Sequence, residues 1–395
     1  MSDQTAPQRS QSRMPISVLT GFLGSGKTTV LNHLVRQQDL SDTAILINEF
    51  GEISLDHDLV EKSDETVIQL KGGCLCCNIR GDLVDSVRDL MIRRQRGEIP
   101  EFQRLLIETT GLADPAPILH TIINDPLMSH RFRLDGVITL VDAVNGDATL
   151  DKHVEAVKQA AMADRLLLTK TDLAKDPASL KDVADLKLRL AKINPSAPLL
   201  DIVDGSVDPA DVLDAGLYNP ATKSPDVLRW LKAEAFDDTQ AHHHHGHAHD
   251  HHGDHQGHSQ HGHGHHHDHH HDHHHDVNRH DDQIRAYCVT RDAPISALAF
   301  NTLIEVLLSK RGEDMLRVKG IINVLEHPGT PAVIHGVQHV FHPIRWLDTW
   351  PSEDHRSRIV FITRDIPQDA VEHVLDALND EVAKAGSSTT EGQIL

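Results

Sequence analysis

The stretch "GFLGSGKTT", Gly21 to Thr29, stands between an apolar run, "PISVLT", and a helix-like segment, "TTVLNHLV". It fits G-x-x-x-x-G-K-[ST] in the setting that pattern requires, with a strand before it and a helix after. Gly21, Gly24 and Gly26 let backbone N–H groups turn toward phosphate oxygens with no Cβ in the way, and Ser25 and Thr29 belong to the same nucleotide-contacting stretch. Lys27 is expected to reach the β- and γ-phosphates in a catalytic role, and the Thr28 hydroxyl to ligate Mg²⁺. The alternative, a glycine-rich turn carrying a solvated lysine, leaves the two flanking elements unexplained.

On either side of this loop, short apolar runs alternate with helix-length segments from Pro15 to about Ile202. The runs are "PISVLT", "AILI", "TVIQL", "RLLIE", "GVITLV", "RLLLT" and "PLLDI", with helices expected over Thr28–Arg36 and Asp151–Ala163. Buried strands alternating with helices predict an α/β fold, a P-loop NTPase domain built on a mainly parallel sheet. This domain is placed at 14–215, after a polar tail at 1–13. A linker at 216–283 follows, and then a smaller α+β C-terminal domain at 284–385. In that domain "IRAYCVT", "MLRVKGIINVL", "PAVIHGVQHVF" and "RIVFITR" read as strands. Leu303, Val306 and Leu307 form one helical stripe, and Val371, Val374, Leu375 and Leu378 form another. The last residues, 386–395, read as a polar tail.

"LLTKTDL" puts Thr169, Lys170 and Asp172 at a strand end. A carboxylate there accepts hydrogen bonds from guanine N1–H and the 2-amino group. Adenine has no donors at those positions, so the pattern favours GTP and GDP over ATP. The lysine stem can lie across the base. In "RLLIETTGLADP", Glu108 ends a buried strand, where an acidic group organises Mg²⁺ or its waters and takes part in catalysis. The following Thr109–Gly111 offers a backbone N–H to sense the γ-phosphate.

Three of the four cysteines, Cys74, Cys76 and Cys77, crowd into "KGGCLCCNIR". Thiolates bind Zn²⁺ at about 2.3 Å and favour soft or borderline metals over Mg²⁺. Three of them in one loop leave a coordination position open, which suits passing a metal on. A vicinal redox pair at Cys76 and Cys77, or simple packing, is the competing reading. Glu49 in "NEFGE", and Asp56, His57 and Asp58 just beyond, are candidates for a further metal ligand or for a solvated turn. His120 and His130 are equally ambiguous. In the C-terminal domain, His335 and His339 would share one strand face, with an edge strand carrying two solvated histidines as the plainer explanation.

Formal charge is −21, which argues against a nucleic-acid partner and suits a protein that attracts cations. Neither a run of roughly 18 apolar residues nor an apolar leader is present, so a membrane partner is not expected and a cytoplasmic location is. Residues 242–280 hold 22 of the 33 histidines, interspersed with Asp and Gly. Such a segment cannot bury a core, and its imidazoles make weak, fast-exchanging metal sites suited to collection or buffering.

The combination "GFLGSGKTT", "NEFGE", "GGCLCC", "ETTGLADP" and "TKTD", with "LRVKGIINV" and "RIVFITRDIP" further on, resembles the CobW-type GTPase family, over about Pro15 to Ala385. One departure is Thr169, where the guanine motif of GTPases has asparagine. The resemblance implies a GTP-hydrolysing metallochaperone that binds Zn²⁺ and hands it to a client metalloprotein under nucleotide control. It also implies a nucleotide-dependent homodimer. Co²⁺ or Ni²⁺ insertion into one metalloenzyme or a cobalamin pathway, and histidine-rich zinc storage, are the alternatives.

Overall fold

The computed structural model describes residues 13–37, 42–47, 67–69, 79–213 and 283–391. Cys74, Cys76, Cys77, Glu49, the Asp56–Asp58 group and the histidine segment lie outside the described residues.

The chain begins with β1 (Met14–Gly21), α1 (Lys27–Val35), β2 (Thr43–Ile47), β3 (Val67–Gln69), α2 (Ile79–Gln95), β4 (Arg104–Glu108), α3 (Ala116–Asn124) and α4 (Pro126–Arg131). It continues with β5 (Phe132–Asp142), α5 (Gly146–Lys152), α6 (Val154–Met162), β6 (Arg165–Thr169), α7 (Pro177–Ile193), β7 (Leu199–Ile202) and α8 (Pro209–Val212). The seven strands pair in the order β3-β2-β4-β1-β5-β6-β7, and every pairing is parallel.

Strand alternation explains the two-sided core. Ala44 and Leu46 of β2, with Leu105 and Ile107 of β4, face one layer of helices that includes α2, α3, α6 and α7. Their neighbours Ile45, Ile47 and Leu106 face the other, packed on Val30, Leu31 and Leu34 of α1. Successive side chains point to opposite faces, so only uninterrupted apolar runs can fill both layers.

The helix expected over Asp151–Ala163 is two helices. His153 between α5 and α6 has extended backbone (φ −131°, ψ 107°), and its ring stacks on Phe22 of the phosphate loop at 4.4 Å. A ring held against that loop takes its own residue out of helical register.

The second domain contains β8 (Ile284–Arg291), α9 (Ala297–Arg311), β9 (Arg317–Ile322), β10 (Ala332–Val337), β11 (Val340–Phe341), β12 (Arg345–Trp346), β13 (Ser357–Arg364) and α10 (Gln368–Glu391). Its antiparallel sheet runs β11-β10-β9-β13-β8, with β12 paired to β10. Leu303 and Leu307 of α9, and Val371 and Leu375 of α10, pack on one sheet face. Val306 is exposed, so the α9 stripe is narrower than its sequence predicts. Helix α10 runs to Glu391, past the domain end expected at Ala385 and into the stretch placed as a tail at 386–395. "PAVIHGVQHVF" is a hairpin turning at Gln338 (φ 48°), which takes His339 off the strand that carries His335. The two histidines therefore do not share a strand face. His335 stacks instead on His342, with centroids 4.7 Å apart.

The other sheet face packs on the first domain, where Ile284, Ala286, Leu316, Val337 and Ile362 join its core. On β9, Arg317 and Lys319 lie two residues apart and so point the same way, onto Asp164 at the start of β6. Arg317 donates to the Asp164 carboxylate and, at 2.5 Å, to the carbonyl of Met162; Lys319 donates to Asp164 at 2.5 Å. Burial would push the Asp164 carboxyl up, but the two cations outweigh it and hold it below its ordinary range. Burial, with the Arg317 charge alongside, brings Lys319 down to about 8 and His342 to about 4. Among the described residues, no helix is long and apolar enough to cross a membrane.

Candidate nucleotide-binding site

The C-terminal ends of β1, β4, β5 and β6 form one edge of the parallel sheet, where ligands of open α/β folds bind. The phosphate loop leaves β1 at this edge and enters α1. Gly26 takes a left-handed backbone (φ 90°) at the helix N-cap, a conformation that costs a side-chain-bearing residue more than glycine. Lys27 Nζ donates to the carbonyls of Gly21 and Phe22, at 2.9 and 3.3 Å. Thr28 is half-buried, Thr29 is exposed, and Ser25 is buried.

Glu108 ends β4, buried, in register with Leu19 of β1 and Ile47 of β2. Thr109 then ties the loop back to β1. Its N–H donates to Leu19 O at 2.9 Å and its hydroxyl to the Thr20 hydroxyl at 2.8 Å. Gly111 passes so close to Leu23 that a Cβ would lie 2.7 Å from the Leu23 nitrogen, so only glycine fits. Two buried hydroxyls in this neighbourhood, Ser25 Oγ and Thr110 Oγ1, have no hydrogen-bond partner among the described residues. Polar atoms in that condition are rare in a folded interior, and a phosphate or a hydrated cation is the kind of group that would satisfy them. Oxygen donors from Thr28 and Glu108 at the same edge fit Mg²⁺, a hard cation.

The base-reading strand joins the same edge. Thr169 is buried, and its hydroxyl donates to Ser25 O at 2.8 Å, fastening the end of β6 to the phosphate loop. Threonine in place of asparagine thus retains a side chain that can grip the loop backbone. Lys170 has a left-handed backbone (φ 61°) and reaches Asp142 at the end of β5, 2.7 Å away. Burial would raise the Asp142 carboxyl, but hydrogen bonds from Lys170, Asn145 and the backbone N–H groups of Val144 and Asn145 hold it below its ordinary range. Asp172 sits half-buried in the short turn that follows. The structure therefore brings together Gly21–Thr29, Glu108 and Thr169–Asp172. Glu49 and the three thiols lie outside the described residues, and among the described ones no cluster of three metal-ligating side chains occurs.

Residues 15–201 match the family CobW/HypB/UreG, nucleotide-binding domain, and residues 284–379 match the cobalamin synthesis protein cobW C-terminal domain. The zinc chaperone YjiA of Escherichia coli is 30% identical over 90% of this chain and 96% of its own length. The chain belongs to the CobW/HypB/UreG family. A crystal structure of Zn(II)-bound YjiA GTPase from E. coli superposes with a TM-score of 0.63 at 26% identity, covering 93% of this chain and 99% of that one. The zinc-regulated GTPase metalloprotein activator 1 of Schizosaccharomyces pombe is 32% identical over 55% of this chain and 52% of its own length.

Within this CobW-type domain, the structure adds residues that motif reading passed over. A cavity of about 230 Å³ opens beside Phe22–Ser25, lined also by Asp142, Asn145, Thr149 and Gln159. Asp142 carried a signal, since "GVITLVD" ends a buried strand on a carboxylate just as "RLLIE" does. Gln159 carried none; a glutamine inside an amphipathic helix reads as surface. Gly205 after β7 also escaped notice. Its Cβ would lie 2.9 Å from the Thr29 side chain, so the β7 loop sits directly on the start of α1.

Proposed function

We propose that this chain is a GTP-hydrolysing metallochaperone that acquires zinc and delivers it to a client metalloprotein. The observation that carries the reading is the junction at one sheet edge of the phosphate loop, Glu108 with its Thr109–Gly111 loop, and Thr169–Asp172. Lys27 and the loop N–H groups bind the phosphates, Asp172 reads guanine, and Thr28 with Glu108 holds Mg²⁺, which when bound neutralises charge developing on the transferred phosphoryl oxygens. The family membership supports the reading, as do the names of the relatives, a zinc chaperone and zinc-regulated activators.

Zinc is the cargo. Cys74, Cys76 and Cys77 form its selective site in this reading, and the histidine segment collects ions around it. The thiols lie in sequence between the phosphate loop and Glu108, on the stretch a γ-phosphate would order, so GTP turnover would alter their affinity. Leu23, Leu112 and Val144 are all exposed at or near the nucleotide edge, which supports a second copy of the chain covering it when GTP is bound. Thiols kept available for a metal need a reducing compartment, which supports a cytoplasmic setting.

The test is a competition measurement of Zn²⁺, Co²⁺ and Ni²⁺ affinity on protein lacking residues 242–275, with GDP and with a non-hydrolysable GTP analogue. One tight zinc site that changes affinity with the nucleotide and disappears in Cys76→Ser is the expected result. Equal affinities in both nucleotide states would overturn the coupling. Retention of the tight site in Cys76→Ser would overturn the thiol assignment.

A further inference from the structure

Gln159 is fully buried on α6, one turn from the helix end, and its side chain does not serve packing alone. Its amide nitrogen donates to two carbonyls of the loop after Glu108, Gly111 O at 3.2 Å and Ala113 O at 2.9 Å. Next to it, Lys158 donates to Asp114 at 2.9 Å, half-buried, so two consecutive helix residues grip consecutive parts of one loop. A primary amide is the side chain suited to this task. It presents two N–H groups from a single nitrogen, whereas a lysine or arginine would bring a buried charge and a hydroxyl has one hydrogen to give.

The platform itself is held on three sides. The Thr139 hydroxyl of β5 donates to the backbone carbonyl of Gln159 at 2.9 Å. Asn194, at the end of α7, donates to the carbonyls of Ala160, Ala161 and Ala163. Arg317 of the second domain binds Met162 O. A helix fixed in this way does not follow the loop; the loop must conform to the helix. The Gln159 Oε1 is buried with no hydrogen-bond partner among the described residues, as is Thr110 Oγ1 at the other end of the grip. An unpartnered acceptor costs about 1–3 kcal/mol, so an aliphatic residue would serve packing better unless the two donated bonds matter.

We propose that Gln159 is a positioning residue for GTP hydrolysis, holding Gly111–Ala113 so that the Gly111 N–H and Glu108 meet the γ-phosphate and its Mg²⁺ in a fixed register. This rests on the reading of Thr109–Gly111 as the γ-phosphate-sensing loop. Gly111 also abuts Leu23 of the phosphate loop, so a displaced Gly111 moves against the phosphate cradle itself. The Gln159 amide bonds the loop read as meeting the γ-phosphate rather than the Gly21–Thr29 loop that cradles the other phosphates. Its loss therefore falls on turnover and on the preference for GTP over GDP.

The experiment compares Gln159→Met, Gln159→Glu and Lys158→Met with the unaltered chain, measuring kcat, KM and the affinities for GDP and a GTP analogue, with melting temperatures recorded alongside. Gln159→Met is expected to lower kcat by about tenfold or more, with GDP affinity within about twofold. Gln159→Glu turns a carboxylate onto two carbonyls when ionised but donates once when protonated. Its kcat relative to the unaltered chain is therefore expected to rise as pH falls from 8 to 6, while that of Gln159→Met stays flat. Lys158→Met, less buried than Gln159 and so the variant that disturbs folding least, is expected to lower kcat about threefold with GDP affinity unchanged. Unchanged kcat in the folded variants, or an equal loss of GDP and GTP-analogue affinity, overturns the proposal. Glu108→Gln separates it from the reading beneath it. If Glu108→Gln abolishes turnover and Gln159→Met does not affect it, only the positioning role fails. If Glu108→Gln is silent as well, the loop reading fails too.

Discussion

Two clusters of charge, one at the nucleotide edge and one at the domain interface, use the same residue types to opposite ends. At the nucleotide edge, Lys27 bonds backbone carbonyls, and Lys170 meets Asp142 in a pair still partly open to solvent. At the interface, Asp164 is enclosed and bonded by Arg317, Lys319 and the Val137 N–H, with His335 against Arg317 and His342 stacked behind it. A charge whose partners are exchangeable carbonyls can take a phosphate in their place. A charge consumed by opposite charges in a closed interior can bind nothing else and fixes geometry. Burial by itself does not mark a functional site; the identity of the partners does.

The largest effect is expected from Asp164→Asn. It preserves volume but leaves Arg317 and Lys319 facing each other without a carboxylate, and should cost about 3–5 kcal/mol of stability in denaturant unfolding. A loss below about 1 kcal/mol would mean that the interface charges are no more committed than those at the nucleotide edge.

Acid provides the next test. His342 lies at about 4 in the folded chain against an ordinary 6.5, held down by burial and by Arg317, and His335 is displaced the same way. Below pH 6.5 the unfolded chain takes up protons that the folded chain refuses, so stability should fall as pH drops from 6.5 toward 4. For His342 the total is about 3 kcal/mol at most. Thermal melts across that range should show the slope, and His342→Gln should make it shallower, with His335 supplying what remains.

At the other cluster, Asp172→Asn exchanges an acceptor of two guanine protons for one acceptor and one donor. GTP affinity should fall about 100-fold while xanthosine triphosphate, with a carbonyl where guanine has its amino group, gains. Titration with both nucleotides decides this, and melting temperature should not move. Smallest is Thr169→Val, which removes the hydroxyl bond to Ser25 O. It should cost about 1 kcal/mol of stability and weaken GTP binding several-fold, measured by melting and nucleotide titration.

Much of this was legible in the chain. "GFLGSGKTT" between an apolar run and a helical one announces its own geometry, because the glycines, the lysine and the flanks are all local requirements. "RLLIE" and "RLLLT" are strands to the residue, since three consecutive apolar side chains fill both helical layers and the polar residues fall at the strand ends. Gln159 was not legible, because its partners lie 46 and 48 residues away and its own helix would accept many residues there. His335 and His339 misled for a related reason. Alternation assigns faces only while a strand continues, and Gln338 ends it.

The parallel sheet, the phosphate loop, the acidic strand end and the base-reading turn are all written in the chain, for these depend on contacts within a few residues or on strand composition. Which charges are spent is settled by the packing of one domain on the other. "RVKGII" alternates polar and apolar like any half-solvated strand, yet the polar side of Arg317 and Lys319 is closed off by Asp164, more than 150 residues earlier in the chain. Whether a polar face meets water or a carboxylate depends on which surface packs against it, and hydropathy patterns carry no record of that.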